Sequence, residues 1–128
     1  MTASLITGLC GVTLTDDERR FYRDARPAGL ILFRRNIFDR AQFARLVEET
    51  QSAVGRDDFL VLIDQEGGRV QRLRPPVARA LPPAAAYADL YDGDPDEAKE
   101  AAFAVARLTA DELRAYGINM NCAPVADL

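Results

Sequence analysis

A cluster of charged residues and glycines follows one of the most apolar stretches of the chain, in the sequence FLVLIDQEGGRVQRL at residues 59–73. Asp64 and Glu66 supply two carboxylates there, and Arg69 and Arg72 supply two guanidinium groups. A carboxylate accepts hydrogen bonds from hydroxyl groups, and a guanidinium group donates them to oxygen atoms, so the two together suit a polyol such as a sugar. The pattern therefore indicates a polar binding site at the end of a buried strand.

The same residues admit other interpretations. Asp64 is also suited to capping a turn, since Asp readily accepts backbone N–H bonds, and this alternative stays open. Asp64 and Glu66 are reminiscent of the carboxylate pair of a glycosidase, but the strand spacing of roughly 7 Å for residues two apart does not extend beyond a strand end. Glu66 is therefore given no catalytic role. The EGG sequence lacks the G-x-G-x-x-G spacing of a nucleotide-binding loop.

The two glycines of this stretch are expected to let the backbone turn sharply. Gly67 and Gly68 adopt positive φ angles at little steric cost, unlike residues with a side chain. Such a turn would bring Arg69 and Arg72 back over the strand end. Arg74 is expected to be a solvated side chain.

The composition excludes several classes of function. The 128 residues include no histidine, which rules out within this chain a Ser-His or Cys-His pair, a histidine general base and a histidine metal site. The net charge of −4 argues against nucleic-acid binding, which depends on clustered Lys and Arg. No apolar run approaches the roughly 20 residues of a membrane-spanning helix, so no membrane partner is expected.

The two cysteines, Cys10 and Cys122, match no metal-binding spacing and are predicted to be buried, reduced thiols. The N-terminal sequence MTASLITGLCG places a short apolar patch before a cysteine. It carries no positive charge ahead of that patch, and Leu9 occupies the position where a secretion signal needs a small residue. We therefore expect a cytoplasmic protein.

Apolar periodicity predicts strands and helices that alternate along the chain. Short apolar runs typical of buried strands occur at residues 4–9, 29–33, 59–63 and 118–125. Amphipathic stretches begin after residues typical of helix N-caps, namely Thr15, Asp39 and Asp94. The second helix is expected to bury Phe43, Leu46, Val47, Thr50 and Val54, and the third Ala98, Ala101, Ala102, Val105, Leu108, Glu112 and Tyr116. Residues 64–83, which are rich in proline, are predicted to form a long loop.

Strands that alternate with helices indicate parallel βαβ units, and hence an α/β fold with a parallel sheet. In such folds, binding residues collect at the carboxyl ends of the strands. Asp64, Asn36 and Asp127 each follow a predicted strand closely. We therefore expect the three side chains to line one edge of the sheet.

Four stretches of the sequence resemble one protein family in the same order and spacing: GLILFRRNIFD, VLIDQEGGRVQRL, LPPAAAYA and GINMNCAPVADL. The chain is similar to the N-terminal part of bacterial β-N-acetylhexosaminidases of glycoside hydrolase family 3. This resemblance implies a (β/α)8 TIM-type barrel, of which residues 1–128 form roughly the first half with no second domain. It also implies that Asp64 and Arg72 hold N-acetylglucosamine in the subsite beside the scissile bond.

The resemblance further implies a retaining mechanism with a covalent glycosyl-enzyme intermediate and no cofactor or metal. The family's nucleophile is an aspartate late in the barrel, and its acid/base is a histidine on a mobile loop. Neither motif occurs here, so the chain is expected to hold part of the binding site, no catalytic residue and no hydrolytic activity by itself. The implied substrate is a muropeptide fragment of peptidoglycan, with N-acetylglucosamine linked β-1,4 to anhydro-N-acetylmuramic acid.

Two alternatives to this hypothesis differ in class. One is a non-catalytic sugar-binding half-barrel that self-associates, since two copies would supply eight strands and cover the edge strand that a half-barrel leaves open. The other is a nucleotide-dependent α/β enzyme, which the missing phosphate loop argues against. Within family 3, β-glucosidases share parts of the barrel, and the D-Q-E-G-G-R stretch favours the hexosaminidases.

Overall fold

Four of the six strands form one parallel sheet, and they lie in the order in which they occur along the chain. The computed structural model describes residues 3–125. The strands are β1 (Ala3–Thr7), β2 (Pro27–Leu32), β3 (Leu60–Ile63), β4 (Gln65–Gly67), β5 (Val70–Gln71) and β6 (Met120–Asn121). The helices are α1 (Asp16–Ala25), α2 (Arg40–Val54), α3 (Ala84–Gly93) and α4 (Pro95–Arg114).

The sheet has the order β1-β2-β3-β6, and β4 and β5 form a separate antiparallel hairpin. One helix connects β1 to β2 and one connects β2 to β3, whereas α3 and α4 together connect β3 to β6. Each connection is a crossover between parallel neighbours, so the carboxyl ends of all four strands meet at one edge. The predicted α/β class with a parallel sheet is confirmed.

The predicted helix starts and the predicted core face of α2 are confirmed. Thr15, Asp39 and Asp94 each accept a backbone N–H bond at the start of a helix. The α2 stripe lies in the core, with Phe43, Leu46, Val47, Thr50 and Val54 all buried. This helix ends at Gly55, which has a φ of 64° and closes the last turn in the left-handed conformation.

The prediction for the buried face of α4 is partly wrong. Ala98 is buried as expected, but Leu108 is 42% exposed, and Thr109 and Leu113 face the core instead. The helix is rich in alanine, which gives little contrast between its faces, so the apolar pattern did not define the contact face to within one residue. Among residues 3–125, neither α4 nor any other helix combines the length and apolarity needed to cross a bilayer.

Residues 64–83 are not the continuous loop that was predicted, because they begin with the β4–β5 hairpin. Its strands have only three and two residues, too few for an alternating pattern to show in the sequence. Helix α3 was not predicted either. None of its residues is buried, so it has no apolar stripe of the kind from which helices are recognised.

Glu18 ties the β1–α1 loop to the start of α1, and we expect its replacement to destabilise the fold. Its two carboxylate oxygens accept the backbone N–H groups of Cys10 (2.8 Å) and Thr15 (2.9 Å). Burial raises the pKa of Glu18, but these hydrogen bonds lower it by more, so the net pKa lies below the usual value. The stabilisation is therefore complete at neutral pH and lost as the pH falls below about 4.

In Glu18→Gln, the free energy of unfolding should drop by about 1 kcal/mol at pH 7, which is typical of a lost cap. The measurement is urea denaturation followed by circular dichroism at pH 7 and pH 3. The difference from the parent chain should shrink at pH 3. Glu48→Gln, an exposed carboxylate on α2, is the control. An equal loss in both variants would contradict the role assigned to Glu18.

Candidate functional site

Asp64 is the first residue after β3, at the carboxyl edge of the parallel sheet. The strand that precedes it is buried, with Val61 and Ile63 fully inaccessible to solvent. The Asp64 side chain itself retains 19% of its exposure, so it lies where the core meets solvent. A ligand can therefore reach this carboxylate, while the buried strand before it holds its backbone in place.

Arg72 forms an ion pair with Asp64 from the far side of the hairpin. Its Nη2 lies 2.6 Å and its Nε 3.2 Å from the same atom, Oδ2 of Asp64. The Arg72 amide also donates to the Asp64 carbonyl at 3.3 Å, so side chain and backbone are both paired. Both bonds are made to Oδ2, so Arg72 does not engage the second carboxylate oxygen of Asp64. A carboxylate acceptor and a guanidinium donor therefore lie side by side at the carboxyl edge.

Phe33, which follows β2, lies beneath this pair. The guanidinium carbon of Arg72 is 5.9 Å from the centroid of its ring, and that of Arg35 is 4.6 Å away. Arg35 also donates to the Leu9 carbonyl at 3.0 Å, which fixes it over the ends of β1 and β2. Cations over an aromatic face are attracted to it by about 0.5–1 kcal/mol at exposed positions. Phe33 thus restricts the direction of Arg72.

The hairpin turn requires glycine at two consecutive positions. Gly67 has a φ of +104° and Gly68 a φ of +56°, as the sequence predicted. A Cβ at Gly67 would lie 2.2 Å from the carbonyl oxygen of Pro82, and one at Gly68 would lie 2.7 Å from Cβ of Pro83. Residues 82 and 83 therefore pack against the turn, and the glycines permit this close approach as well as the backbone conformation.

Two buried glutamines fix the chain on the return side of the hairpin. The Gln65 carboxamide donates to the Leu73 carbonyl at 2.9 Å and accepts the Leu73 amide at 3.0 Å. The Gln71 carboxamide donates to the Leu73 and Arg79 carbonyls and accepts the Leu81 amide. These bonds satisfy backbone groups that have no ladder partner, so an irregular segment becomes rigid. Arg72, between residues 71 and 73, is held in place.

The thiol of Cys122 is a neighbour of Asp64 that the sequence did not indicate. The Cys122 amide donates to the Ile63 carbonyl at 2.9 Å, which places residues 64 and 122 side by side at adjacent strand ends. Burial raises the pKa of the Cys122 thiol, and the charge of Asp64 and the hydrogen bond to it raise that pKa further. The prediction that both cysteines are buried is wrong, since Cys10 is exposed and Cys122 is only partly buried, although both are free thiols.

The expectation that Asn36 lines the site is wrong. Asn36 is fully buried, and its carboxamide donates to the Leu9 and Gly11 carbonyls and accepts the Phe33 amide. Two of these bonds hold the loop that follows β1 and the third holds the end of β2, so the Asn36 carboxamide is engaged by backbone groups. Asp127, the third residue of the expected set, lies outside the described residues.

The remaining charged residues of the stretch lie away from the ion pair. Glu66, for which no catalytic role is expected, is exposed on β4. Arg69 is exposed near the tip of the hairpin, so only one of the two arginines expected over the strand end is found there. Arg74 is exposed as predicted, but its guanidinium group also donates to the Arg69 and Gln71 carbonyls. It therefore closes the base of the turn.

A cavity of about 410 Å³ lies at the opposite edge of the sheet and does not coincide with this site. It is lined by Gln51, Ser52, Gly55, Arg56, Asp57, Phe59 and Asn119. Residues 55–59 precede β3, so this cavity is at the amino ends of the strands, whereas ligands of parallel α/β folds bind at the carboxyl ends. Over residues 3–125, no three Cys, Asp or Glu side chains are grouped as a metal site.

Phe33, Asn121 and Cys122 are site residues that the sequence analysis missed. Each lies at or just after the carboxyl end of a parallel strand, as Asp64 does. The signal that could have found them is therefore position rather than residue type. A phenylalanine or a cysteine in an apolar run gives no chemical indication of a polar neighbour.

Comparison with known proteins gives a family and a set of relatives. The chain matches the model of the glycosyl hydrolase family 3 N terminal domain over residues 6–128. The Beta-hexosaminidase of Xylella fastidiosa strain M23 is 43% identical over 124 residues, which are 97% of this chain and 36% of that protein. The Beta-hexosaminidase of Xanthomonas euvesicatoria pv. vesicatoria is 42% identical with the same coverage. The chain thus spans little more than a third of the length of these curated relatives.

Solved structures agree with this match. NagZ from Neisseria gonorrhoeae, in complex with N-trifluoroacetyl-D-glucosamine, has a TM-score of 0.91 and 34% identity, covering 99% of this chain and 37% of that one. A family 3 β-N-acetylglucosaminidase from Paenibacillus sp. str. FPU-7 has a TM-score of 0.79 and 37% identity, covering 93% and 22%. The four parallel strands therefore correspond to the first part of a TIM-barrel-type domain, as predicted.

We expect Gly67→Ala to disrupt the hairpin, because Cβ would meet the Pro82 carbonyl oxygen at 2.2 Å in a backbone conformation that L-residues rarely adopt. The free energy of unfolding should fall by at least about 2 kcal/mol. Thermal and urea denaturation are the measurements. Gly93→Ala is the matched control, since a Cβ there meets nothing within 4 Å. Equal stability of the two variants would contradict the turn geometry described here.

We expect Cys122 to react slowly with iodoacetamide at neutral pH, because its raised pKa keeps the thiol protonated. In Cys10→Ser, which leaves Cys122 as the single cysteine, the alkylation rate should reach half of its maximum above about pH 8.5, the ordinary thiol value. Asp64→Asn removes a nearby negative charge, so it should move that midpoint to lower pH. A midpoint below about pH 8.5 in Cys10→Ser, or no change of that midpoint when Asp64→Asn is added, would contradict the contact between the two residues.

Proposed function

Because the chain belongs to glycoside hydrolase family 3, we propose that it forms the N-terminal part of the catalytic domain of an exo-acting, retaining β-N-acetylglucosaminidase. Residues 1–128 would contribute the first strands of the barrel as a single structural unit. The observation that carries this proposal is the Asp64–Arg72 pair at the carboxyl edge of the sheet. The names of the relatives, Beta-hexosaminidase and β-N-acetylglucosaminidase, support the choice of sugar.

The geometry of the pair supports a role in holding a sugar. Arg72 uses one oxygen of Asp64 twice, so the carboxylate, which also bonds the Cys122 thiol, keeps acceptor capacity for a sugar hydroxyl, and the guanidinium group beside it can donate to a sugar oxygen. The side chains of Asp64 and Arg72 are 19% and 30% exposed, so a ligand can replace water there without first breaking the ion pair. Hydrogen bonds to charged groups are worth about 1.5–3 kcal/mol each.

The catalytic groups of the proposed reaction lie outside these 128 residues. The family resemblance implies a histidine acid/base, and the sequence contains no histidine. It also implies a nucleophilic aspartate late in the barrel, which would attack the anomeric carbon and form the covalent glycosyl-enzyme. Asp64 and Arg72 are thus proposed to bind and orient the sugar, and they take no part in bond cleavage.

We further propose that the substrate is a muropeptide fragment and that the protein acts in the cytoplasm during peptidoglycan recycling. The cysteines support an intracellular setting, because Cys10 and Cys122 are both free and reduced thiols persist in reducing compartments.

A self-associating sugar-binding module is the second candidate, and it is favoured by apolar side chains on the outer strands of the sheet. Leu5 and Ile6 on β1 are 39% and 48% exposed, and Met120 on β6 is 44% exposed. In a closed barrel such strands pair with others, and two copies of this chain would supply those partners. Sedimentation of the 128-residue chain distinguishes the candidates, because this module requires a dimer that binds N-acetylglucosamine without cleaving its glycosides.

The proposed function is tested by hydrolysis of 4-nitrophenyl N-acetyl-β-glucosaminide, with the β-glucoside as the competing substrate. Protein translated from the complete reading frame should cleave the first and not the second, whereas residues 1–128 alone should cleave neither. Asp64→Asn in the complete protein should lower kcat/KM about 10- to 100-fold, as expected for lost hydrogen bonds to a charged group.

Glu49→Gln is the matched control, because it removes a carboxylate charge from an ion pair with Arg19 that lies on the helices. It should leave kcat/KM unchanged. Two results would contradict the proposal: turnover above background by residues 1–128 alone, or an Asp64→Asn variant with the activity of the parent protein.

A further inference from the structure

Strand β6 is only two residues long, and two asparagine side chains add bonds to the backbone of residues 59, 61 and 65 beyond its own pairing with β3. Asn119 precedes the strand and accepts the Val61 amide at 2.8 Å while donating to the Phe59 carbonyl at 2.9 Å. Asn121, its last residue, accepts the Gln65 amide at 3.0 Å and donates to the Gln65 carbonyl at 3.0 Å. A carboxamide carries one acceptor and one type of donor in a plane, so it can replace a peptide group in a ladder.

Asp64 is held between two of these attachments. On one side of it, the Ile63 carbonyl accepts the Cys122 amide at 2.9 Å, and on the other side Gln65 is bonded twice by Asn121. Asp64 lies beyond the last residue of β3, where a chain is ordinarily free to turn away. The two attachments therefore define the direction in which the Asp64 carboxylate leaves the sheet.

The Gln65 side chain continues this connection to the other member of the ion pair. Its carboxamide is 2% exposed and bonds both backbone groups of Leu73, the residue after Arg72. Asn121 thus holds the backbone of Gln65, and the side chain of Gln65 holds the backbone beside Arg72. The two carboxamides connect in series β6, the start of β4 and the segment that follows β5.

We propose that Asn121 and Gln65 are positioning residues that fix the Asp64 carboxylate relative to the Arg72 guanidinium group for sugar binding. Neither side chain contacts the sugar in this scheme, since all of the bonds described for them are made to backbone. Without the bonds made by these two side chains, Asp64 and Arg72 can still pair, but the pair can adopt more than one orientation toward a ligand. The inference rests on the proposed function, because it concerns the same binding site.

The chain contains an unusually close control for Asn121. Asn119 has the same residue type and likewise bonds one backbone N–H and one backbone C=O, but Val61 lies three residues before Asp64, which is roughly 10 Å along a strand. Asn121→Ala and Asn119→Ala should therefore lower the melting temperature to a similar extent. If the two melting temperatures fall equally, a difference in sugar affinity between the two variants is caused by the place of the asparagine in the fold and not by a loss of stability.

The test uses protein from the complete reading frame and measures Ki for N-acetylglucosamine together with kcat/KM for the 4-nitrophenyl glycoside. We expect Asn121→Ala to raise Ki about 10-fold, because small displacements of binding groups are costly, and Asn119→Ala to change it less than about 2-fold. Gln65→Met should also raise Ki. Its control is Gln42→Met, another buried carboxamide, whose bonds go to the Val12 and Asn36 carbonyls away from Asp64.

A double-mutant cycle separates positioning from general destabilisation. If Asn121 acts through Asp64, then Asn121→Ala should have little further effect on Ki in an Asp64→Asn background. Additive effects of the two substitutions, or equal changes of Ki in Asn121→Ala and Asn119→Ala, would overturn the inference. Failure of the proposed function would give a different result, because the Asp64→Asn variant by itself would then bind and cleave the substrate as the parent protein does.

Discussion

A charged side chain at the end of a buried strand has to satisfy two opposing requirements, and the arrangement around Asp64 meets both. The carboxylate needs solvent or a partner, because an isolated charge in an apolar interior costs many kcal/mol. Its backbone needs fixed neighbours, because the strand that carries it ends there. Arg72 meets the first requirement with two bonds to a single oxygen. The second is met by Asn121 and by the Cys122 amide, which hold residues 65 and 63.

Carboxamides replace backbone pairing wherever the chain leaves regular structure near the carboxyl edge. The buried or partly buried members of this group bond main-chain atoms and not one another: Asn36, Gln42, Gln65, Gln71 and Asn121. A backbone N–H or C=O left unpaired in such a place costs about 1–3 kcal/mol. Neutral amides satisfy these groups without adding charge beside the Asp64–Arg72 pair.

A structural feature could be predicted from the sequence where the residues that specify it are neighbours along the chain. The stripe of α2, its Asp39 cap and the buried β3 strand are encoded in consecutive residues, and the structure has them as predicted. The placement of Asp64 beside Arg72 was expected because the EGG turn reverses the chain within a few residues. Asn36 was misassigned because an asparagine after a strand is suited to both ligand binding and loop closure. Only the position of Leu9 and Gly11, far away in sequence, decides between them.

The same argument explains how two proposed binding residues can lie together in this chain while the proposed catalytic groups lie elsewhere. The two proposed sugar-binding residues are eight positions apart, and one hairpin is enough to bring them together. A nucleophile and an acid/base must approach the anomeric carbon from other directions, and in a barrel those directions belong to other strands. The hairpin does not position its own ion pair unaided, however, because its base is held by Asn121 on a strand more than fifty residues later. The geometry of the proposed sugar site thus includes a long-range contact that forms only when β6 joins the sheet.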